Sequence, residues 1–283
     1  MPTATRILRE RVVLVFDFDG TLAPSTTPVL AEAASLDHER ISKQVDDMQR
    51  EEHWQYALAK AEIFRRLGAD GANVTRQLME QVGKGYEGFP GAEDFAERLK
   101  EYARDIDRDV ELEFVLLTAG FGTIPRATKI AEQFDRIYSG ELHFSEEGYV
   151  LGAKRIITHA DKVLYIRQLA EGIDVHKPSE LEDAFVEHRA EAYYVPLSQV
   201  VYIGDGASDL SAFQVVEEHG GVGIAIDKPD QEWDNYGDVS RGRRVHNLAP
   251  PDYTEGSELM QSLESAVASM IHRIKILRFG EGE

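Results

Sequence analysis

The chain has 283 residues, 42% of them hydrophobic, with no cysteine and a formal net charge of −20. That length admits one large domain or two smaller ones, and the hydrophobic content fills a core and excludes a disordered chain. The acidity repels nucleic acid and anionic membrane, so neither is an expected partner, and the missing cysteine excludes disulfides and thiolate ligands. An anionic substrate is also repelled at long range, though salt screens this beyond ~8 Å. A phosphate pocket therefore needs its own local cation. No apolar run approaches the ~18 residues that a membrane span requires. Met1 to Arg11 carries charges and lacks an apolar signal-peptide segment, so the expected location is the cytoplasm.

Val12-Val13-Leu14-Val15-Phe16 runs straight into Asp17-Phe18-Asp19-Gly20-Thr21. The valines favour a strand, and near-continuous apolarity suits the buried centre of a parallel sheet. Alternation along a strand predicts Asp17 and Asp19 on one side and Phe16 and Phe18 on the other. Gly20 permits a tight turn there. Two carboxylates thus converge at a strand's carboxyl end, where open α/β sheets place their ligands. An Asp-Gly turn can also close a hairpin, but no alternating partner strand follows Thr21.

From about Val29 to Gly83 the composition is helical, rich in Ala, Glu, Gln, Arg and Leu, with breaks at Gly68 and at Ala69-Asp70-Gly71. The next strand, Glu113 to Leu117, begins more than ninety residues beyond Asp19. A βαβ crossover needs only about thirty residues, and Gly91 to Leu99 supplies its helix. Residues 24–88 are therefore surplus and are expected to form an inserted helical subdomain. Residues 1–23 and 89–283 then make up the core. Leu116-Leu117-Thr118-Ala119-Gly120 repeats the opening logic, and helical sequence is expected from there to Phe134. Ile137-Tyr138 and Tyr149-Val150, around Ser145 to Gly148, predict an edge hairpin. Asp161-Lys162 opens an amphipathic helix, and Leu181 to Tyr194 reads as another. Gln199 to Ile203 is a third strand, ending in Gly204-Asp205-Gly206-Ala207-Ser208-Asp209, and Gly221 to Ile226 a fourth. Asp227 to Pro251 has little periodicity, with a basic patch at Arg241 to Arg244. The last helix sets Leu259, Leu263, Val267, Met270, Ile271 and Ile274 on one face, which predicts docking on the core.

Asp17 with Asp19, Thr118, and Asp205 with Asp209 thus stand at three strand ends, with Lys162 opening a helix between the last two. Bare carboxylates a few ångströms apart repel by ~1 to 4 kcal/mol per pair. A hard divalent cation removes that penalty, and Mg²⁺ suits carboxylates, waters and a phosphate oxygen. No His pair or thiolate set speaks for zinc. Thr118 and the amides of Ala119 and Gly120 can hydrogen-bond phosphate oxygens, and Lys162 adds positive charge. Together they make a phosphoryl-transfer kit, including a carboxylate nucleophile. Each piece also has a structural alternative: a helix cap for Thr118, a solvated helix residue for Lys162, a glycine-rich turn for 204–209.

The sequence resembles the haloacid dehalogenase superfamily over about residues 11–227. Asp17-Phe18-Asp19-Gly20-Thr21 resembles its first motif, Thr118 its second, Lys162 its third and Gly204 to Asp209 its fourth. Phe89-Pro90-Gly91, the helical insertion and the hairpin look similar to the phosphoserine phosphatase-like branch. The resemblance implies a Rossmann-like doubly wound α/β core with an inserted helical cap, and a Mg²⁺-dependent phosphatase of a small phosphorylated metabolite. It implies Asp17 as the nucleophile that forms an aspartyl-phosphate. Asp19 is then the acid that protonates the leaving alcohol and the base that activates water. The metal falls to Asp17, the backbone carbonyl of Asp19, and Asp205, while Asp209 orients Lys162 or a metal-bound water. One departure is that Ala23-Pro24-Ser25 stands where phosphoserine-specific enzymes carry a glutamate for the substrate's amino group. A phosphomutase using the same Asp19 is the nearest alternative. A receiver-type phospho-accepting domain is an alternative of a different class.

Selectivity is expected in the insertion. Trp54, Ala57, Leu58, Ala61 and Phe64 make one apolar helical stripe, and Arg65 falls within it. A guanidinium there is expected either to pair with an acidic neighbour or to face the cleft and bind a second anionic group of the substrate.

Overall fold

A computed structural model describes residues 9–174, 176, 193–227 and 245–280. The first strand, β1 (Arg11–Phe16), lies at the centre of the sheet. It pairs in parallel with β2 (Glu111–Phe121) on one side and with β5 (Val200–Gly204) on the other. The remaining strands are β3 (Arg136–Phe144), β4 (Val150–Arg155), β6 (Val222–Ile226) and β7 (Asn247–Ala249). Among the described residues the sheet has seven strands in the order β4-β3-β2-β1-β5-β6-β7, with only the edge strand β4 antiparallel. This is a doubly wound α/β sheet whose chain reverses direction around β1, so the carboxyl ends of β1, β2 and β5 open onto one crevice.

Alternation along β1 serves two cores. Val12, Leu14 and Phe16 pack on the face covered by α5 (Phe95–Ile106) and α8 (Glu258–Gly280), while Val13 and Val15 pack on the face covered by α6 (His159–Glu171) and α7 (Leu210–Glu218). With both faces buried the strand has no polar side, and each fully buried Val or Phe contributes ~1.5–3 kcal/mol. The C-terminal helix α8 docks through the predicted face and adds Met260 and Ala266 to it. The segment just before α8 reaches back to the loop after β1: buried Tyr253 donates from its hydroxyl to the Thr21 carbonyl at 3.0 Å and packs, tilted, against the Phe16 and Phe95 rings. Residues C-terminal to the doubly wound core thus help fix the loop that carries Asp17 and Asp19.

Four helices lie between β1 and α5: α1 (Thr26–Ala33), α2 (His38–Glu52), α3 (Tyr56–Ala69) and α4 (Arg76–Lys84). They have a small core of their own around Ile41, Val45, Met48 and Ile63. Ala61, Phe64 and Met79 join the main core instead. The edge hairpin touches this helical layer, with the Arg76 amide donating to the Gly148 carbonyl at 2.9 Å. No described helix is long and apolar enough to cross a membrane.

Three expectations are corrected. The helix foreseen between Gly120 and Phe134 is absent: β2 runs on to Phe121, and two short 3₁₀ turns follow at Pro125–Ala127 and Lys129–Gln133. Pro125 and the β-branched Ile124, Thr128 and Ile130 shorten that stretch. The crossover helix starts at Phe95, because Phe89 to Asp94 is taken up by turns that anchor on Leu22 and Tyr253. Within the stretch read as aperiodic, Asn247–Ala249 adds a parallel edge strand to β6. Three residues are too few to show a period. Most of the helix expected over Leu181 to Tyr194, and the basic patch Arg241 to Arg244, lie outside the described residues.

Candidate active site

Strand β1 ends at Phe16, and the Asp17 amide still donates to the Ile203 carbonyl at 2.9 Å. The chain then turns, with Thr21 and Leu22 donating to the Phe18 carbonyl and Gly20 at a φ of 77°. Asp19 therefore stands beyond the strand, where the turn begins. Its Oδ1 accepts from the Thr26 amide at 2.7 Å and its Oδ2 from the Thr26 hydroxyl at 3.3 Å. Phe16 and Phe18 join the same core cluster, and the Asp19 carboxylate is held at the start of α1.

Asp17 meets residues from the other two strand-end loops. Thr158 caps α6, with Asp161 reciprocating in a capping box, and this sets Lys162 in the first turn with its side chain fully buried. Lys162 Nζ lies 3.2 Å from Asp17 Oδ2 and 2.6 Å from Asp209 Oδ1. Asp209 is itself fully buried and accepts three more hydrogen bonds: from the Tyr202 hydroxyl at 2.5 Å and from the amides of Asp205 and Gly206 at 3.2 and 3.1 Å. Gly204 is required here, because a Cβ at that position would stand 2.5 Å from the Asp209 carboxyl carbon. Burial and the adjacent Asp209 hold the Tyr202 hydroxyl well above its ordinary range, so it stays protonated and donates.

Asp17, Asp205 and Asp209 each place a carboxylate oxygen within 4.8 Å of the others. One ammonium cannot neutralise three carboxylates. Burial, opposed by Lys162 and reinforced by Asp209 and Asp205, pushes the Asp17 carboxyl up to about 7. Burial pulls Lys162 down, but Asp17 and Asp209 outweigh it and hold the ammonium above its ordinary range. Asp17 Oδ1 is buried with no hydrogen-bond partner. An orphaned carboxylate oxygen inside an over-acidic cluster fits a divalent cation, which Asp17 and Asp205 could hold. Asp209 is saturated by four donors, so its position suits orienting Lys162 and the Asp205 loop better than coordination.

Thr118 is buried near the carboxyl end of β2, and its Oγ accepts from the Gly120 amide at 3.0 Å. That amide, expected to face a phosphate, is therefore already engaged; no described residue accepts the Thr118 hydroxyl proton. Gly120 brings this loop against Asp19, since a Cβ there would lie 2.8 Å from Asp19 Oδ2. Asp17, Asp205, Asp209 and Lys162 thus form one cluster, and Asp19, Thr118 and Gly120 a second one beside it. Ala119 sits between the last two on the same strand.

Arg65 is not the buried cation of the helical layer. Its guanidinium is half-exposed and holds Glu62 in a two-pronged pair, Nε to Oε2 at 2.7 Å and NH2 to Oε1 at 2.8 Å. The buried cation is Lys60, 8% exposed, with its Nζ 5.9 Å from the Phe64 ring centroid. Sequence reasoning passed over Lys60, Thr26 and Tyr202. The signals were there: a lysine among Ala-Leu-Ala and Ala-Glu-Ile, four residues before Phe64, and a tyrosine in an otherwise apolar strand, whose hydroxyl needs a buried partner.

Residues 12–216 match the family model described as haloacid dehalogenase-like hydrolase. A comparison with curated proteins finds no match. Among solved structures, the chain is similar to a phosphoserine phosphatase holding an analogue of its phospho-aspartyl intermediate, with 18% identity over 91% of this chain and 99% of that one and a TM-score of 0.53. A haloacid dehalogenase family hydrolase from Salmonella enterica serovar Typhi gives 16% identity, coverage of 87% and 69%, and a TM-score of 0.55. A probable phosphoserine phosphatase from Vibrio cholerae gives 15% identity, coverage of 94% and 67%, and a TM-score of 0.55. At these identities the likeness is one of fold.

Proposed function

The chain belongs to the haloacid dehalogenase-like hydrolases, and from that premise we propose that it is a Mg²⁺-dependent phosphatase that hydrolyses a small phosphomonoester through a phosphorylated Asp17. The observation that carries this reading is the contact of Lys162 with both Asp17 and Asp209 at the crevice, beside the unpartnered Asp17 Oδ1. Asp17 and Asp205 would hold Mg²⁺, which would supply positive charge against the carboxylates and phosphate beyond what Lys162 offers. In the first half-reaction an Asp17 carboxylate oxygen forms a bond to phosphorus as the bond to the ester oxygen breaks. Asp19, as the acid, gives its proton to that leaving oxygen. In the second half Asp19 takes a proton from water, whose oxygen attacks phosphorus; inorganic phosphate leaves and Asp17 is restored. An ammonium has three donors, and Lys162 spends two on Asp17 and Asp209, so one remains for a phosphoryl oxygen, as does the Thr118 hydroxyl. Residues 24–88 serve in this reading as a cap over the crevice.

A panel of phosphomonoesters with Mg²⁺ tests the proposal directly. Continued release of inorganic phosphate over many turnovers, abolished in Asp17→Asn, is the expected result and separates a hydrolase from a mutase or a phospho-accepting switch. Undiminished release by Asp17→Asn would end the aspartyl-phosphate mechanism.

A further inference from the structure

The inserted helical layer joins the core through two connections, residues 21–25 leading into α1 and residues 85–94 leading from α4 to α5. Three carbonyls of the first connection accept hydrogen bonds from distant parts of the chain: Thr21 from the Tyr253 hydroxyl at 3.0 Å, Leu22 from the Phe89 amide at 2.9 Å, and Pro24 from the Tyr86 hydroxyl at 2.7 Å. Tyr86 belongs to the second connection, and its place is fixed from both sides. Near the end of α4, Gly83 sits so closely on the core that a Cβ there would lie 2.6 Å from both the Ala127 Cβ and the Ile124 carbonyl oxygen. The buried Tyr86 ring lies against Phe18, with centroids 6.2 Å apart. Phe18 stands between Asp17 and Asp19, and Pro24 stands two residues before Thr26, whose amide and hydroxyl hold the Asp19 carboxylate. One side chain thus touches the segment that carries Asp19 on both sides of it. Burial, with the Asp19 carboxylate nearby, holds the Tyr86 hydroxyl above its ordinary range, so it keeps its proton and donates. The proline ring already fixes φ at Pro24, which leaves ψ to set the path towards Thr26; a hydrogen bond to the Pro24 carbonyl fixes that angle too.

We infer that Tyr86 is a positioning residue for Asp19, acting through the Pro24 carbonyl and the Phe18 ring and not by contact with the substrate. The inference rests on the reading of Asp19 as the general acid and adds what holds that acid in place. Asp17, Lys162 and Asp209 are set by core strand ends and by α6, whereas Asp19 is set by Thr26 and Tyr86, at the two ends of the insertion. The inserted layer therefore assembles the acid, and the core assembles the nucleophile. Displacing Asp19 slows a step that needs a proton at the leaving oxygen and spares one that does not.

The test is single-turnover phosphorylation by an alkyl and by an aryl phosphate, with Mg²⁺, in the native protein, Tyr86→Phe, Asp19→Asn and the double variant. Tyr86→Phe keeps the ring against Phe18 and removes only the hydroxyl, so the fold is retained. It should slow the alkyl ester about five- to fiftyfold and the aryl ester less than about twofold, with substrate affinity unchanged. In the Asp19→Asn background the same change should cost less than about twofold on the alkyl ester, because a residue that acts through Asp19 has nothing left to act on. Equal slowing of both esters by Tyr86→Phe, an unchanged alkyl rate, or a loss that persists in full when Asp19 is already Asn overturns the inference. Any of these leaves the phosphatase reading standing as long as Asp19→Asn alone favours the aryl ester. An Asp19→Asn variant that slows both esters alike removes the acid assignment and this inference with it. Failure of either ester to phosphorylate the native protein removes the phosphatase reading itself.

Discussion

Asp17→Asn should abolish turnover and, without divalent cation, stabilise the protein. The buried Asp17 carboxyl lies at about 7 against an ordinary 3.8, chiefly through burial. Because the folded state binds that proton more tightly than the unfolded one, the associated stability is fully present below pH 3.8 and is lost as pH rises through 7. At ~1.4 kcal/mol per pH unit the loss is about 4 kcal/mol at pH 8 and about 2 kcal/mol at pH 5. Asparagine keeps the shape and carries no charge, so the variant escapes the penalty, while Lys162 keeps Asp209 at 2.6 Å. Urea unfolding of native and variant protein in chelator, at pH 5 and pH 8, measures the difference. The variant should gain over the native protein by ~3 kcal/mol more at pH 8 than at pH 5. An advantage that does not grow with pH, or a variant weaker than native at pH 8, would refute the view that Asp17 is held in a site too acidic for its own charge. The trade is physically sensible, since a charge kept unsatisfied by the fold is the one available to a cation and a substrate.

Mg²⁺ should raise the melting temperature of the native protein, and more at pH 8 than at pH 6, because Asp17 must lose its proton to bind the ion; a shift that is absent or insensitive to pH counts against the cation site. Asp209→Ala removes the acceptor of Tyr202 and of two amides and one of the two acidic partners of Lys162. It should cost about 3 to 5 kcal/mol in urea unfolding, and a loss below ~1 kcal/mol would show that the cluster is not held by this residue. Asp19→Asn should lower turnover ~10²- to 10⁴-fold, less for aryl phosphates than for alkyl phosphates in single-turnover phosphorylation. Equal losses on good and poor leaving groups would remove Asp19 as the acid.

The core of this protein is legible in local sequence patterns. Five apolar residues ahead of Asp17 suit a doubly buried strand, and both faces of β1 are filled accordingly. The edge hairpin, the lysine in the first turn of α6, and the apolar face of α8 follow from periodicity, capping and turn residues, all of which act over a few positions along the chain. What the tertiary structure decided is who pairs with whom. Alternation along β1 says nothing of Thr26, whose amide and hydroxyl hold the Asp19 carboxylate. Periodicity marked α3 as amphipathic and drew attention to Arg65, whose partner, Glu62, is local. Lys60 lines a small cavity with Leu30, Met79 and Ile124, which come from three other segments. No pattern within α3 reveals those neighbours. Burial of a charge, and hence its cost and its demand for a counter-charge, depends on residues far away in sequence, so the chemistry of such a side chain is settled only when the chain folds.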